Sequence, residues 1–228
     1  MRLLALALTL VAAAAHAQYT NTLTGLNYSN PYAANAAFFQ QQMQQNAYFQ
    51  TRIRAVTTPT PTPQAAAPVK VAPPAFKHAL TATDFTPAGK RTMPEQFAKN
   101  AKTAGERAQV IQLCRAIQSG IEAQPGVRKH NLSTAVTVLL GISLQVSTGR
   151  EFSDAESEGL QLIINDALAE LPGFKAMSNE KRTAAYDAFL ITGGLIAGMA
   201  QNATETGDAA QLALAKDMAK QALTQFLK

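Results

Sequence analysis

The 228-residue sequence has one cysteine, three histidines and no tryptophan, and each scarcity removes a class of chemistry. A lone Cys114 permits no intramolecular disulfide. It lies in VIQLCRAIQSGI on the helical face of Val110, Ile117 and Ile121, so it reads as a small buried hydrophobe; the alternative is an intermolecular disulfide or a redox thiol. Zinc sites need clustered Cys and His, and the histidines are scattered. His16 lies in the leader, His78 follows a proline tract, and His130 beside Arg128 and Lys129 reads as a solvated turn residue. No G-x-S-x-G, G-x-x-x-x-G-K or G-x-G-x-x-G motif occurs, so neither a nucleophile elbow nor a phosphate-binding loop is expected. The missing tryptophan argues against a sugar-stacking cleft. No cofactor, metal-ligand set or catalytic residue is assigned on these grounds.

Long apolar runs are also lacking. The opening MRLLALALTLVAAAAHAQ has one charge at Arg2, an apolar run from Leu3 to Ala15 and a small-x-small ending. That is a secretory signal peptide over residues 1–17, with cleavage between Ala17 and Gln18. An exported protein, periplasmic or extracellular and in contact with the envelope, is expected. No later stretch reaches about 18 uninterrupted apolar residues. AFLITGGLIAGMA, residues 188–200, fits a buried helix, so no transmembrane span is expected in the mature chain.

Charge of one sign is scarce over most of the chain. The net charge is +5, yet residues 96–228 hold 13 Lys and Arg against 13 Asp and Glu, while residues 18–95 hold 6 against 2. The basic excess is spread over Arg52, Arg54, Lys70, Lys77, Lys90 and Arg91 rather than gathered into a patch. Nucleic acid is therefore not an expected partner, and weak attraction to an anionic surface is.

What is present falls into regions of different physics. Residues 18–56 are rich in Gln, Asn, Ala and aromatics, with too few aliphatic side chains for a core. They read as a low-order segment, or as an adhesive one that docks on a partner. Residues 57–93 form a linker and lead-in. TTPTPTPQAAAPVKVAPPA carries six prolines in nineteen residues, which blocks helix and sheet and favours a semi-rigid polyproline II spacer. FKHALTATDFTPAGKRT then reads as loosely ordered.

Residues 94–228 show helical periodicity throughout. One helix runs from Pro94 toward Pro125-Gly126 with a break at Gly105. A second, LSTAVTVLLGISLQVST, is capped by Asn131 or Ser133 and ends at Gly149. A third runs over DAESEGLQLIINDALAEL to Pro172-Gly173. A fourth follows Ser178 to Gly207, and a fifth, from Asp208, completes the chain. The expected fold class is all-α: a single bundle of about five helices. Gly194-x-x-x-Gly198 marks a close helix approach, inside the bundle rather than at a dimer seam.

SDAESEG, residues 153–159, resembles the opening of a calcium loop. Asp154, Glu156, Glu158 and Gly159 would fill positions 1, 3, 5 and 6, but position 12 falls on Asn165, which has no bidentate carboxylate. A local reading accounts for more. Ser153 and Glu156 form a capping box, and the acids occupy first turns where the helix dipole favours them. Ser178 and Asp208 are the corresponding caps of the last two helices.

The run from Ala167 to Leu223 has a helix, then Leu171 and Phe174, a Ser178-capped long helix, a Gly207-Asp208 turn and a last helix. Over about residues 130–226 it resembles a group of small, exported bacterial helical proteins of unknown function. The resemblance implies an all-α fold and an exported setting, and no site residues. The leading expectation is a non-enzymatic protein whose partner is another envelope protein or surface. The rivals are a cell-wall hydrolase using acids such as Glu151, Asp154 or Glu158, and a binder of a small apolar ligand between the helices.

Overall fold

The computed structural model describes residues 76–226. Ala17, Gln18, the amide-rich segment and the proline tract lie outside the described residues. A 3₁₀ turn at Leu80–Thr83 is followed by α1 (Met93–Phe97), a second 3₁₀ turn at Ala98–Asn100, α2 (Ala104–Glu122), α3 (Leu132–Thr148), α4 (Asp154–Glu170), α5 (Pro172–Lys175), α6 (Asn179–Thr206) and α7 (Ala209–Phe226). Among the described residues the only β pairing is an isolated antiparallel bridge between Asp84 and Asn131. The fold is an all-α bundle.

Its axis is α6. The middle of this helix is apolar on every side, so it must be covered on every side, and α3, α7 and α2 cover it. By length and composition α6 could cross a membrane, yet 89% of its most apolar window is buried within the bundle. Two adjacent glycines allow the neighbours to close in. A Cβ on Gly193 would sit 3.3 Å from the Leu139 Cα of α3, and one on Gly194 would sit 2.3 Å from Ile117 Cγ2 of α2. Phe189 of α6 and Phe226 of α7 meet edge to face with centroids 5.8 Å apart. Full burial of side chains such as Leu132, Leu140, Phe189 and Ile196 supplies about 1.5–3 kcal/mol each, and this core holds the helices together.

Side-chain oxygens start the helices. Ser153 Oγ accepts from the Glu156 N–H at 3.2 Å while the Glu156 carboxylate accepts from the Ser153 N–H at 2.9 Å. Asn131 Oδ1 accepts from the Thr134 N–H, Ser178 Oγ from that of Lys181, and Asp208 Oδ1 from that of Gln211. Gly149 and Gly207 end α3 and α6 in left-handed conformation, φ 73° and 70°. The first helix departs from expectation. The break falls at Ala101–Thr103, and Gly105 lies inside α2. Thr103 and Glu106 make a second capping box, a T-x-x-E signal that starts a new helix two residues before the glycine.

The lead-in over residues 76–92 is not loosely ordered. It is a strap tied to the bundle by buried polar side chains. The Asp166 carboxylate accepts from the N–H groups of Lys77 and His78 at 2.9 and 3.0 Å. Asn165 accepts from Thr83 Oγ1 at 2.8 Å and donates to the Ala79 carbonyl at 3.0 Å. Asn131 donates to the Leu80 carbonyl and to Asp84, Thr183 accepts from the Ala88 N–H, and Phe85 enters the core. Asn131, Asn165 and Asp166 are fully buried, and these bonds satisfy polar groups that would otherwise cost about 1–3 kcal/mol apiece.

Candidate functional site

Helical spacing on α3 and α4 builds an apolar concavity. Thr134, Val138, Gly141 and Ile142 recur at intervals of three and four on α3, so they share one face. Asp154, Glu158 and Gln161 do the same on α4. The two rows face one cavity of about 380 Å³. Ile121 and Gln124 at the end of α2 close one side with Val127 from the following loop, and Leu80 of the strap contributes a further wall. Its volume falls in the about 300–1,000 Å³ range of small-molecule sites.

The polar groups of this cavity are mostly committed. Thr134 Oγ1 hydrogen-bonds Asn131 Oδ1 at 3.0 Å and accepts from Gln161 Nε2 at 2.8 Å. Thr137 Oγ1 donates to the Ser133 carbonyl at 2.8 Å. Gln124 Nε2 donates to the Gly120 carbonyl at 3.0 Å, but its buried Oε1 has no hydrogen-bond partner.

Of the acids singled out in the sequence, Asp154 and Glu158 are brought to this cavity and Glu151 is not. Glu151 lines a separate groove with Val146, Gln201 and Lys216 at the far ends of α3 and α6. Glu156 closes the α4 capping box and ion-pairs with Arg150. Among the described residues no three His, Cys, Asp or Glu side chains gather where they could hold a metal ion.

A second polar cluster lies between the strap, α2 and α6, and sequence reasoning missed it. Arg91 Nε donates to both oxygens of Asp187 at 2.9 and 3.0 Å, and its Nη2 reaches Glu122 at 2.9 Å. The Asp187 side chain is 1% exposed. Burial raises its pKa, and the Arg91 guanidinium offsets only part of that. Burial, with the Glu122 carboxylate nearby, also raises the hydroxyl pKa of Tyr186. A carboxylate gripped this way by a guanidinium is a latch rather than a base. The available signal was an acid within the otherwise apolar AAYDAFL of α6. His130 is a turn residue, as expected, but not a freely solvated one. It is half-buried at φ 55°, its ring 6.0 Å from those of Phe85 and Tyr186.

Cys114 is fully buried, and burial, reinforced by the charge of Glu95, pushes its thiol pKa up to about 12. That environment suppresses the thiolate needed for redox chemistry.

No curated protein and no solved structure matches the sequence. A family model described as a family of unknown function (DUF6683) matches residues 1–228, and the chain belongs to that family.

Proposed function

We propose that this is an exported, non-enzymatic helical protein that acts by binding, and that the cavity between α2, α3 and α4 receives a small apolar ligand. The cavity carries the reading: its walls are chiefly aliphatic, including Ile121, Val127, Val138, Ile142 and Leu160. Burying such surface favours a guest by about 25 cal/mol per Å² before the costs of association. The order of the remaining segments supports an envelope setting. A leader over residues 1–17 precedes an amide- and aromatic-rich stretch, residues 18–56, suited to holding an envelope protein or surface.

Two experiments test the two halves. Titration of the ¹⁵N-labelled protein with a neutral apolar compound such as n-hexanol should shift the amides of Val127, Val138 and Gly141, and Thr137→Met, which fills the cavity, should abolish the shifts. Unmoved amides in the wild type would end the ligand reading. Fractionation of producing cells should leave the full chain with the envelope and release a chain that keeps residues 1–17 but lacks 18–75. Equal solubility of the two would reduce the segment to a passive spacer.

A further inference from the structure

The geometry points to an amphiphilic cation as the guest: an apolar body within the α2–α3–α4 cavity, ended by a protonated amine. This rests on the ligand-binding reading above and adds a chemical class to it.

Gln124 is, with Thr134, the most deeply buried polar residue of the cavity lining. The residue is only 5% exposed and borders the cavity, its amide nitrogen is held by the Gly120 carbonyl, and its buried Oε1 has no hydrogen-bond partner. A buried carbonyl oxygen left unpaired costs about 1–3 kcal/mol, and a ligand N–H would relieve it. The two charged side chains lining the same cavity, Asp154 and Glu158, are acceptors too. They stand four residues apart on α4, where like charges repel by about 0.2–0.5 kcal/mol. Asp154 in the first turn complements the helix dipole. Glu158 lies a turn further on, where that benefit has faded, and among the described residues it forms no ion pair.

The side-chain donors around the cavity, by contrast, are largely engaged. The hydroxyls of Thr134 and Thr137 donate to Asn131 and the Ser133 carbonyl, and one N–H of Gln161 donates to Thr134. The half-buried hydroxyl of Ser157 can act either way. A lining of aliphatic side chains with two carboxylates and no cationic side chain selects a guest that offers apolar surface, N–H donors and positive charge together. A carboxylate-bearing guest of the same shape meets repulsion.

Three probes with matched tails separate these features at pH 7: n-hexylamine, n-hexanol and hexanoate, each titrated into the whole protein by NMR with calorimetry. Hexylamine should bind about tenfold more tightly than hexanol, the ratio expected for one charge-assisted contact. Glu158→Gln should lower the amine's affinity about fivefold, the upper end for an exposed ion pair, and leave hexanol unchanged. Asp217→Asn, the same loss of charge at a distant exposed site, should change neither. Hexanol or hexanoate binding as well as the amine, or an amine indifferent to Glu158→Gln, would overturn the cation while leaving the apolar cavity in place. Binding by none of the three would overturn both readings.

Discussion

Arg91 and Asp187, 96 residues apart, are joined by a two-pronged contact in which the guanidinium Nε reaches Asp187 Oδ1 and Oδ2 at 2.9 and 3.0 Å. The pair clamps the end of the strap to the middle of the bundle. Its two members are unequally placed, with 36% of the Arg91 side chain exposed and 1% of that of Asp187.

Arg91→Ala should therefore cost far more than an exposed ion pair. It strands a buried carboxylate, a change that costs about 3–5 kcal/mol when both partners are interior. Solvent access to the guanidinium holds this case near the lower bound, about 3 kcal/mol. Adding Asp187→Leu should recover part of the loss, since no charge is then left unpaired. Urea unfolding of the two variants and the wild type measures both effects, and a cost below about 1 kcal/mol for Arg91→Ala would mean that water already reaches Asp187.

The same carboxyl predicts a pH dependence. Its folded pKa is raised above the ordinary 3.8 by burial, with Arg91 opposing. Between about pH 3.8 and the folded value the folded state holds a proton that the unfolded chain has released, so this contribution to stability is complete below about pH 3.8. It is lost as pH rises through the folded value, after which the contribution is flat. Asp84 acts in the opposite sense. The hydrogen bond from Arg128 lowers its pKa, so its stabilisation is present above 3.8 and lost as pH falls through the folded value. Asp187→Asn should remove the decline on the alkaline side of pH 4, and Asp84→Asn the decline on its acid side, in thermal unfolding scanned from pH 2 to 7.

The contrast between these networks and the helices shows what a sequence displays. α3, α4, α6 and α7 announce themselves locally: an oxygen-bearing residue at Asn131, Ser153, Ser178 or Asp208, an apolar period, and a glycine at 149 or 207. The strap announces nothing, because its anchors Asn131, Asn165, Asp166 and Asp187 lie about 50 to 96 positions from the groups they hold. Its own composition is that of a loop. The candidate site lies between these cases. The i,i+4 placement of Asp154 and Glu158 is legible, but the cavity they border depends on how α2, α3 and α4 cross. The unpaired Oε1 of Gln124 is a feature of packing alone.

Glycine replacement should change sign between two helices. Gly159 in α4 has nothing within 4 Å of an added Cβ, so Gly159→Ala should stabilise by about 1 kcal/mol through helix propensity alone. Gly194→Ala offers the same propensity gain but drives a methyl to 2.3 Å from Ile117 Cγ2, in a core where overpacking costs about 1–3 kcal/mol. The net effect should be destabilising, and combination with Ile117→Ala should cost less than the sum of the single changes. Paired thermal melts decide it, and a stabilising Gly194→Ala would show that α2 and α6 can separate freely.

Cys114 should resist thiol reagents while the protein is folded. The residue has no exposed surface and its thiol is held protonated to about pH 12. Its modification by a disulfide reagent at pH 8 should follow the unfolding rate rather than reagent concentration. Immediate stoichiometric labelling would place the α1–α2 contact in a far looser state.

The strap makes the last prediction, about where the folding unit begins. A chain starting at Phe76 keeps every anchor described above, whereas one starting at Met93 leaves Asn131, Asn165, Asp166, Thr183 and Asp187 without their strap partners and opens the space filled by Phe85. Four of those five are side chains with no exposed surface, so each orphaned group costs about 1–3 kcal/mol unless water replaces the lost bond. Over the five groups the losses reach about 5–15 kcal/mol, comparable with the whole stability of a domain. The chain from Phe76 should unfold in one cooperative transition close to that of the full protein. The chain from Met93 should be largely unfolded or molten, with weakened near-ultraviolet circular dichroism. Equal melting of the two would mean that the buried polar groups find solvent or one another once the strap is gone, and that the strap is a cover on the bundle rather than a part of it.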